Sequence, residues 1–347
     1  MKKLVSLILI LIFATEGLMG CATENCSIGQ GFLNVKQNQY QATYFDLFDT
    51  VTTVIGYSET KEEFQEASDV IYEQLKKYHQ LFDIYHEYEG NNLKTINDQA
   101  GMAPVKVDTE IIELLVDCRE YYELTDGAVN VAMGSVLTLW HEARSMASDE
   151  PEKAELPKEE ALQEAAKHIS FDNVMIDEAA STVYITDKGQ SLDVGAIAKG
   201  WAVERVCENA PTGYLISVGG NVRATGPKPD GSSWNIGIQD PEDSNSYIEK
   251  VSIAHGSVVT SGDYQRYMEV AGKKYHHLID PETCYPAETW RSVTIICEDS
   301  GLADALSTAL FVLSGEKGEA ILKKCNAQAM WIETDGNISY SDGFNNS

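Results

Sequence analysis

The sequence predicts an α+β fold, a mixed α/β body in which helices pack on a central sheet. Three observations point there. A long segment with helical spacing lies near the start of the body. From Thr182 onward, short β-rich strands alternate with helices and Gly-rich turns, which calls for sheet and helix in one core. The composition is ordinary for a globular protein: of 347 residues 43% are hydrophobic, with 26 Gly and only 9 Pro. That excludes collagen-like, low-complexity and wholly disordered chains. There is no internal repeat and no heptad stretch.

The elements follow in order. Lys2 and Lys3 precede an apolar run, Leu4 to Phe13, and then Leu18-Met19-Gly20-Cys21. A basic start, a short apolar stretch and a small residue before a cut describe a signal peptide over residues 1–20. The run is about half of the roughly 20 residues a membrane-spanning helix needs. Cys21 after Gly20 resembles a bacterial lipobox, which implies a lipidated (palmitate-bearing) Cys21 and a protein anchored to the outer side of the bacterial cell membrane. Residues 21–43 hold that cysteine and a tether rich in Asn, Gln, Gly and Ser, and the folded domain is expected over residues 44–340.

Tyr44 to Tyr57 reads as the first strand. Thr60 to Glu63 has capping-box form, and Phe64, Ala67, Ile71, Leu75, Tyr78 and Phe82 follow at helical spacing. A second helix is expected after Asp108, burying Ile111, Ile112, Leu115, Cys118 and Tyr122. Residues 144–160, charged and holding Pro151 and Pro157, read as a surface excursion before a helix ending near His168. Strands are expected at Val183–Thr186, Tyr214–Val218, Trp234–Ile238, Val293–Cys297 and Ala329–Ile332, with helices over Ala196–Ala210 and Leu302–Leu313. The tail from Ser341 to Ser347 is polar and expected to fray.

Charge and cysteines narrow the function. Lys and Arg number 26 against 54 Asp and Glu, a formal net charge of −28. Such a surface repels phosphate backbones and argues against a nucleic-acid partner. A phosphorylated ligand would need a cation to mediate. Beyond Cys21, the cysteines at 26, 118, 207, 284, 297 and 325 form no Cys-x-x-Cys pair, so zinc-ribbon and thioredoxin-type readings have no support. Most of them read as small apolar core residues, although an exported protein could hold one or two bridges.

Five clusters could carry chemistry. Ser191 to Trp201 runs from a strand through Gly195 into a helix whose first amides could hold a phosphate. It contains neither a Walker A motif nor G-x-G-x-x-G, and a plain strand–turn–helix would look the same. Ile216 to Val222 carries Gly219, Gly220 and Asn221, where paired glycines let a backbone approach a ligand closely, or merely make a turn. Ser261-Gly-Asp-Tyr264, followed by Arg266 and Tyr267, could line a site or form a turn. His277-Leu278-Ile-Asp280-Pro281 offers an imidazole for proton transfer, beside His276. On the apolar helix, Asp304, Ser307 and Thr308 share a face. They are hard oxygen ligands of the kind Mg²⁺ prefers, or hydroxyls bonded back to the preceding turn.

Together and in this order, the clusters resemble the ApbE family of FAD:protein FMN transferases. The matching stretches are Phe45–Val51, Gly127–Trp140, Ser191–Trp201, Ile216–Asn221, Ser261–Tyr267, Tyr275–Pro286 and Ala303–Leu313, so the likeness spans residues 44–335. Two positions depart from the family pattern. Phe48-Asp49-Thr50 stands where Met-Gly-Thr is usual, and Cys284 replaces the glycine of Asp-Pro-x-Thr-Gly-x-Pro.

The resemblance implies an ApbE-like flavin transferase fold and a Mg²⁺-dependent enzyme. Such an enzyme transfers the FMN half of FAD to a Thr or Ser hydroxyl of an exported redox protein, forming a phosphoester bond and releasing AMP. It implies Mg²⁺ ligands at Asp304, Thr308 and the carbonyl of Ala196, with Ser307 a further candidate. FAD contacts are implied at Phe48, Tyr85, Ala132, Met133, Gly134, Asp193, Lys199 and Leu278, beside the paired-glycine stretch Gly219, Gly220 and Asn221. His277 is the candidate base for the acceptor hydroxyl. The implied acceptors are subunits of Rnf-type or sodium-pumping (Nqr-type) complexes carrying Asp-Gly-x-Ser/Thr-Gly-Ala-Ser/Thr. Two other readings use the same residues: a Mg²⁺-dependent FAD pyrophosphatase and a non-enzymatic flavin-binding lipoprotein.

Overall fold

The computed structural model describes residues 37–344. The expected signal peptide, Cys21, Cys26, most of the tether and the last three residues lie outside them. In chain order the elements begin with β1 (Asn38–Leu47), β2 (Thr50–Ser58), α1 (Lys61–Phe82), α2 (Leu93–Asp98), β3 (Val105–Lys106), α3 (Thr109–Leu124), α4 (Gly134–Asp149) and α5 (Glu159–Ala165). The middle holds β4 (Val174–Asp177), β5 (Thr182–Ile185), α6 (Ala198–Cys207), β6 (Tyr214–Val218), β7 (Asn221–Ala224), β8 (Trp234–Gln239) and β9 (Tyr247–Ile253). The rest are β10 (Gly256–Gly262), β11 (Tyr267–Val270), β12 (Lys273–His276), β13 (Trp290–Cys297), α7 (Ser300–Val312), α8 (Gly315–Cys325), β14 (Gln328–Glu333) and β15 (Ile338–Tyr340).

Eight strands form one sheet in the order β1-β2-β6-β7-β10-β13-β14-β15, each pair antiparallel. Side chains alternate between its faces, as the pleat requires. On the helical face Val54, Ile216 and Val218 meet α1 and α6, while Val259, Val293 and Ile295 meet α7 and Trp331 lies against α8 at Gly318. On the opposite face Ile55, Leu215, Val258, Met330 and Ile332 pack on the β8–β9 hairpin through Trp234, Ile236 and Val251. A smaller cluster joins α4 and α5 to β11 and the 279–285 turn, where Trp140 donates its indole N–H to the carbonyl of Cys284 at 2.9 Å. Among the described residues no helix is long and apolar enough to cross a membrane.

Most predicted elements are present, and the differences have physical causes. The stretch read as one strand is a hairpin, because Phe48 and Asp49 both adopt left-handed φ, 52° and 51°, and reverse the chain. Its first strand begins at Asn38, so residues 38–43 of the expected tether pair with β2. The expected strand before Gly195 is irregular extended chain; Asn97 holds it instead, donating to the carbonyl of Leu192 at 2.9 Å and accepting its amide at 2.7 Å. Helix α4 runs on to Asp149, so the charged excursion starts later than residue 144. Helix α6 is shorter than expected and starts two residues later. The tail is held as far as Phe344: Ser341 takes the amide of Ala329 on its hydroxyl at 2.8 Å, and the Phe344 ring is buried. The capping box at Thr60 and Glu63 is formed. Cys118, Cys207, Cys284 and Cys297 are buried free thiols and Cys325 is half-buried, with no disulfide among the described residues. Cys284 takes the glycine-like φ of 59°, so the glycine's backbone geometry survives its replacement.

Candidate active site

The centre of the site is the crossing of α6 and α7. Gly200 makes it possible: a Cβ there would lie 2.3 Å from the Ser300 carbonyl oxygen and 2.5 Å from Cβ of Asp304. At that distance the Gly200 amide donates to Oδ2 of the buried Asp304 at 2.8 Å. In a regular helix it would bond the carbonyl of Ala196, four residues back. Ala196 thus lies at the helix start with its carbonyl released from that bond. Lys199 donates to the carbonyl of Gly195 at 3.2 Å and brings its ammonium within 3.6 Å of Asp304. Burial raises the pKa of Asp304, while Lys199, the Gly200 amide and the Asn221 side chain oppose the rise.

Asn221 reaches Asp304 from the sheet. Gly219 and Gly220, at φ 55° and 96°, make the two-residue turn between β6 and β7 that places it. Its Oδ1 is buried and accepts no hydrogen bond. Ser307 donates to the carbonyl of Asp304 at 2.9 Å and shares a hydrogen bond with the hydroxyl of Ser261 at 2.8 Å. Thr308, next on the helix, is half-buried. Four of the five sequence clusters therefore meet here: Lys199 and Gly200, Asn221, Ser261, and Asp304 with Ser307.

The fifth supplies the imidazole. His276 is fully engaged, with Nε2 donating to the Ala287 carbonyl at 2.7 Å and Nδ1 accepting the Leu278 amide at 3.2 Å. This hydrogen-bond pattern assigns its tautomer and gives it a structural role. His277 differs: its Nδ1 is buried without a partner. Burial, then the charges of Arg266 and Arg144, hold its pKa well below the ordinary histidine value, with smaller pushes from His276 and Lys199. It is therefore neutral at pH 7.

A second group lies within electrostatic reach. Tyr85 stacks on His141, ring centres 5.0 Å apart. Asp193 and Asp49 act on both rings, as do Arg144 and Arg266. Asp193 also accepts the Gly195 amide at 2.9 Å, which shapes the turn into α6. Phe48 sits at the β1–β2 turn with its amide on Nδ1 of His79 at 3.2 Å.

Other predicted residues are placed differently. Ala132 and Met133 point their side chains into the core, and Leu278 is 5% exposed within it. Gly134 is there for packing, since a Cβ would fall 2.6 Å from the Ser191 carbonyl. These four could meet a ligand only through backbone atoms or after movement. Sequence reasoning passed over His141 and Arg144 and assigned Arg266 no role. The available signal was that His141 and Arg144 sit one helical turn apart, just after Trp140.

The donor set suits a small hard cation. One buried carboxylate, the Ala196 carbonyl, the Thr308 hydroxyl and the unpartnered Oδ1 of Asn221 are all oxygens. Among the described residues no three His, Cys, Asp or Glu side chains gather for a metal. A site with one carboxylate and neutral oxygens matches Mg²⁺ held jointly with ligand phosphates rather than a dedicated protein cage.

The chain is similar to known proteins over most of its length. The ApbE family model matches residues 48–331. A Treponema pallidum protein named FAD:protein FMN transferase is 36% identical over 271 residues, covering 72% of this chain and 73% of its own length. One of the same name from Klebsiella pneumoniae is 33% identical over 260 residues, covering 73% and 78%. Among solved structures, the ApbE protein of Thermotoga maritima superposes with a TM-score of 0.79 at 34% identity, covering 88% of this chain and 98% of its own. The flavin transferase ApbE of Vibrio cholerae superposes at 0.74 and 24% identity, covering 89% and 99%, a likeness of fold.

Proposed function

The chain belongs to the ApbE family, it is an FAD:protein FMN transferase as its curated relatives are named, and we propose that its α6–α7 crossing is where the FMN half of FAD passes to a protein hydroxyl. The observation that carries this reading is the convergence of Lys199, Gly200 and Asn221 on the buried carboxylate of Asp304.

Asp304, the Ala196 carbonyl and Thr308 would hold Mg²⁺, with Asn221 Oδ1 close to Asp304. Ser307 is a weaker ligand, because its hydroxyl is already bonded to Asp304 and Ser261. When bound, the ion would neutralise the pyrophosphate and stabilise charge on the departing AMP. Lys199 guards the carboxylate from the other side and offers its ammonium to a phosphate. Neutral His277, with an unengaged Nδ1, takes the proton from the attacking Ser or Thr hydroxyl. The oxygen so exposed forms the phosphoester. Tyr85, Asp193 and Phe48 bound the flavin nucleotide, and the backbone of Ala132–Gly134 and Leu278 lines it from behind.

The acceptors are exported redox subunits of the Rnf or Nqr type, and Cys21 carries the lipid that keeps the enzyme at the membrane. The lysine-led apolar run before Gly20-Cys21 supports that location.

The test combines the exported chain, FAD, Mg²⁺ and a fragment bearing the acceptor motif. Flavin fluorescence should stay with the fragment on a denaturing gel, and chelation or Asp304→Ala should abolish it. Rapid FMN and AMP release without a labelled fragment would replace the transferase by a pyrophosphatase. FAD binding with neither product would leave a flavin-binding lipoprotein.

A further inference from the structure

The chain has six arginines, and four are engaged within the protein. Arg205, Arg223 and Arg291 pair with carboxylates. Arg119 donates to the Val174 carbonyl and lies over the Phe171 ring, 5.3 Å from its centre. Among the described residues Arg144 and Arg266 form no ion pair, although acidic residues outnumber basic ones two to one in this chain. Nη1 of Arg144 is buried and has no hydrogen-bond partner.

Arg266 immediately precedes β11, and β11 packs against α4, the helix that carries Arg144. Burial and then Arg266 push the Arg144 guanidinium down to about 10. Asp193 also faces Arg144 and its charge partly offsets the repulsion without pairing, while Tyr85 faces it as a neutral phenol. Both arginines act on His277. They come from separate elements: Arg144 from α4, one turn beyond His141, and Arg266 from the turn between β10 and β11. Arg144 is partly desolvated without a carboxylate partner, and the exposed Arg266 adds a second positive charge, an arrangement that weakens a fold with carboxylates to spare. The arrangement makes sense when an anion completes it. A guanidinium pair presents parallel N–H groups that match phosphate oxygens, and the Tyr85–His141 ring pair borders it.

We infer that Arg144 and Arg266 form a phosphate receptor beside His277, which binds a phosphate group of the flavin dinucleotide. The inference rests on the transferase reading above and assigns two residues to its nucleotide site. It also explains why the unpaired Nη1 of Arg144 sits beneath the surface: that atom keeps its hydrogen for the ligand.

The test is equilibrium binding to the full chain of FAD, FMN and riboflavin, which lacks phosphate, across a range of NaCl. In R144Q and R266Q, FAD affinity should fall about tenfold or more and riboflavin affinity should stay. R144K should recover part of the loss. The salt dependence of FAD binding should shrink in both glutamine variants. Melting of the ligand-free protein should hold steady or rise, since a repulsion is removed. A merely structural arginine would lower it and would weaken FAD and riboflavin alike, overturning the inference. Unchanged FAD affinity with a raised KM for the acceptor would also overturn it and assign the pair to an acidic acceptor surface. Absence of FAD binding in the unsubstituted chain is a separate failure, that of the transferase reading itself.

Discussion

The amide of Gly200 meets the carboxylate of Asp304 at 2.8 Å across 104 residues of sequence, and nothing larger than glycine fits at that crossing. The contact sets the distance between α6 and α7, and therefore the position of every donor around Asp304.

Gly200→Ala should force the helices apart. The nearest obstacle is the backbone oxygen of Ser300, 2.3 Å from the added carbon, which no rotamer change relieves. Overpacking of this kind costs about 1–3 kcal/mol, against a gain of at most about 1 kcal/mol from helix propensity. The melting temperature should fall and FMN transfer should drop with it. A variant as stable and active as the parent would refute the tight crossing.

Lys199→Met should leave the Asp304 carboxylate 4% exposed with only the Gly200 amide and Asn221 beside it. Removing one member of a buried pair is destabilising by up to about 3–5 kcal/mol; Lys199 stands 3.6 Å off and is itself partly exposed, so the lower end is expected. Added Mg²⁺ should raise the melting temperature of this variant more than that of the parent, because a ligand bound only by the folded state stabilises it. Equal shifts in the two proteins would separate Asp304 from the metal.

Acid should weaken the fold through His277. Its folded pKa lies well below the ordinary value, so the unfolded chain takes up the proton first as pH falls. Stability is full above about pH 6.5 and declines below it, by at most about 1.4 kcal/mol per pH unit for one such group. Denaturant unfolding at pH 7.5 and 5.5 should show the decline, and His277→Gln should make it shallower. His276, also lowered, contributes in the same direction.

Arg223 and Glu204 tie α6 to β7 and to the start of α7. Nη2 donates to Oε1 at 2.8 Å, Nε lies 2.8 Å from Oε2, and that oxygen also accepts the Ser300 amide at 2.7 Å. Arg223→Met strands the carboxylate and should cost about 3–5 kcal/mol. Replacing both by methionine should cost clearly less than the sum of the single changes. Additive losses would mean that the pair does not act as one unit.

How much of this was legible in the sequence depended on range. The Thr60–Glu63 cap, the strand Tyr214–Val218 and the Asp304 helix face follow from local spacing, and so they read correctly. The β1–β2 hairpin did not, because Phe48 and Asp49 turn through left-handed φ without the glycine that usually signals it. The anchored tail was hidden for a different reason: Ser341 and Phe344 are held by Ala329 and the β8–β9 face, which no short window contains. At the crossing of α6 and α7 the sequence named Lys199, Asn221, Asp304 and Ser307 but not how they engage one another. Spacing placed Ser307 beside Asp304, yet only the fold reveals that Ser261 has already taken its hydroxyl. The spacing of Arg144 from His141 was visible, but its meaning lies in the partner it lacks.

The helix bearing Asp304 is made late. When the chain leaves the ribosome, Lys199, Gly200 and the glycine hairpin emerge with no carboxylate to receive them. They wait about a hundred residues for it, a separation that slows assembly of such contacts. A chain that ends before residue 300 has the notch without the helix that fills it. The crossing of α6 and α7 is accordingly a late event of folding, open only to a chain long enough to carry Asp304.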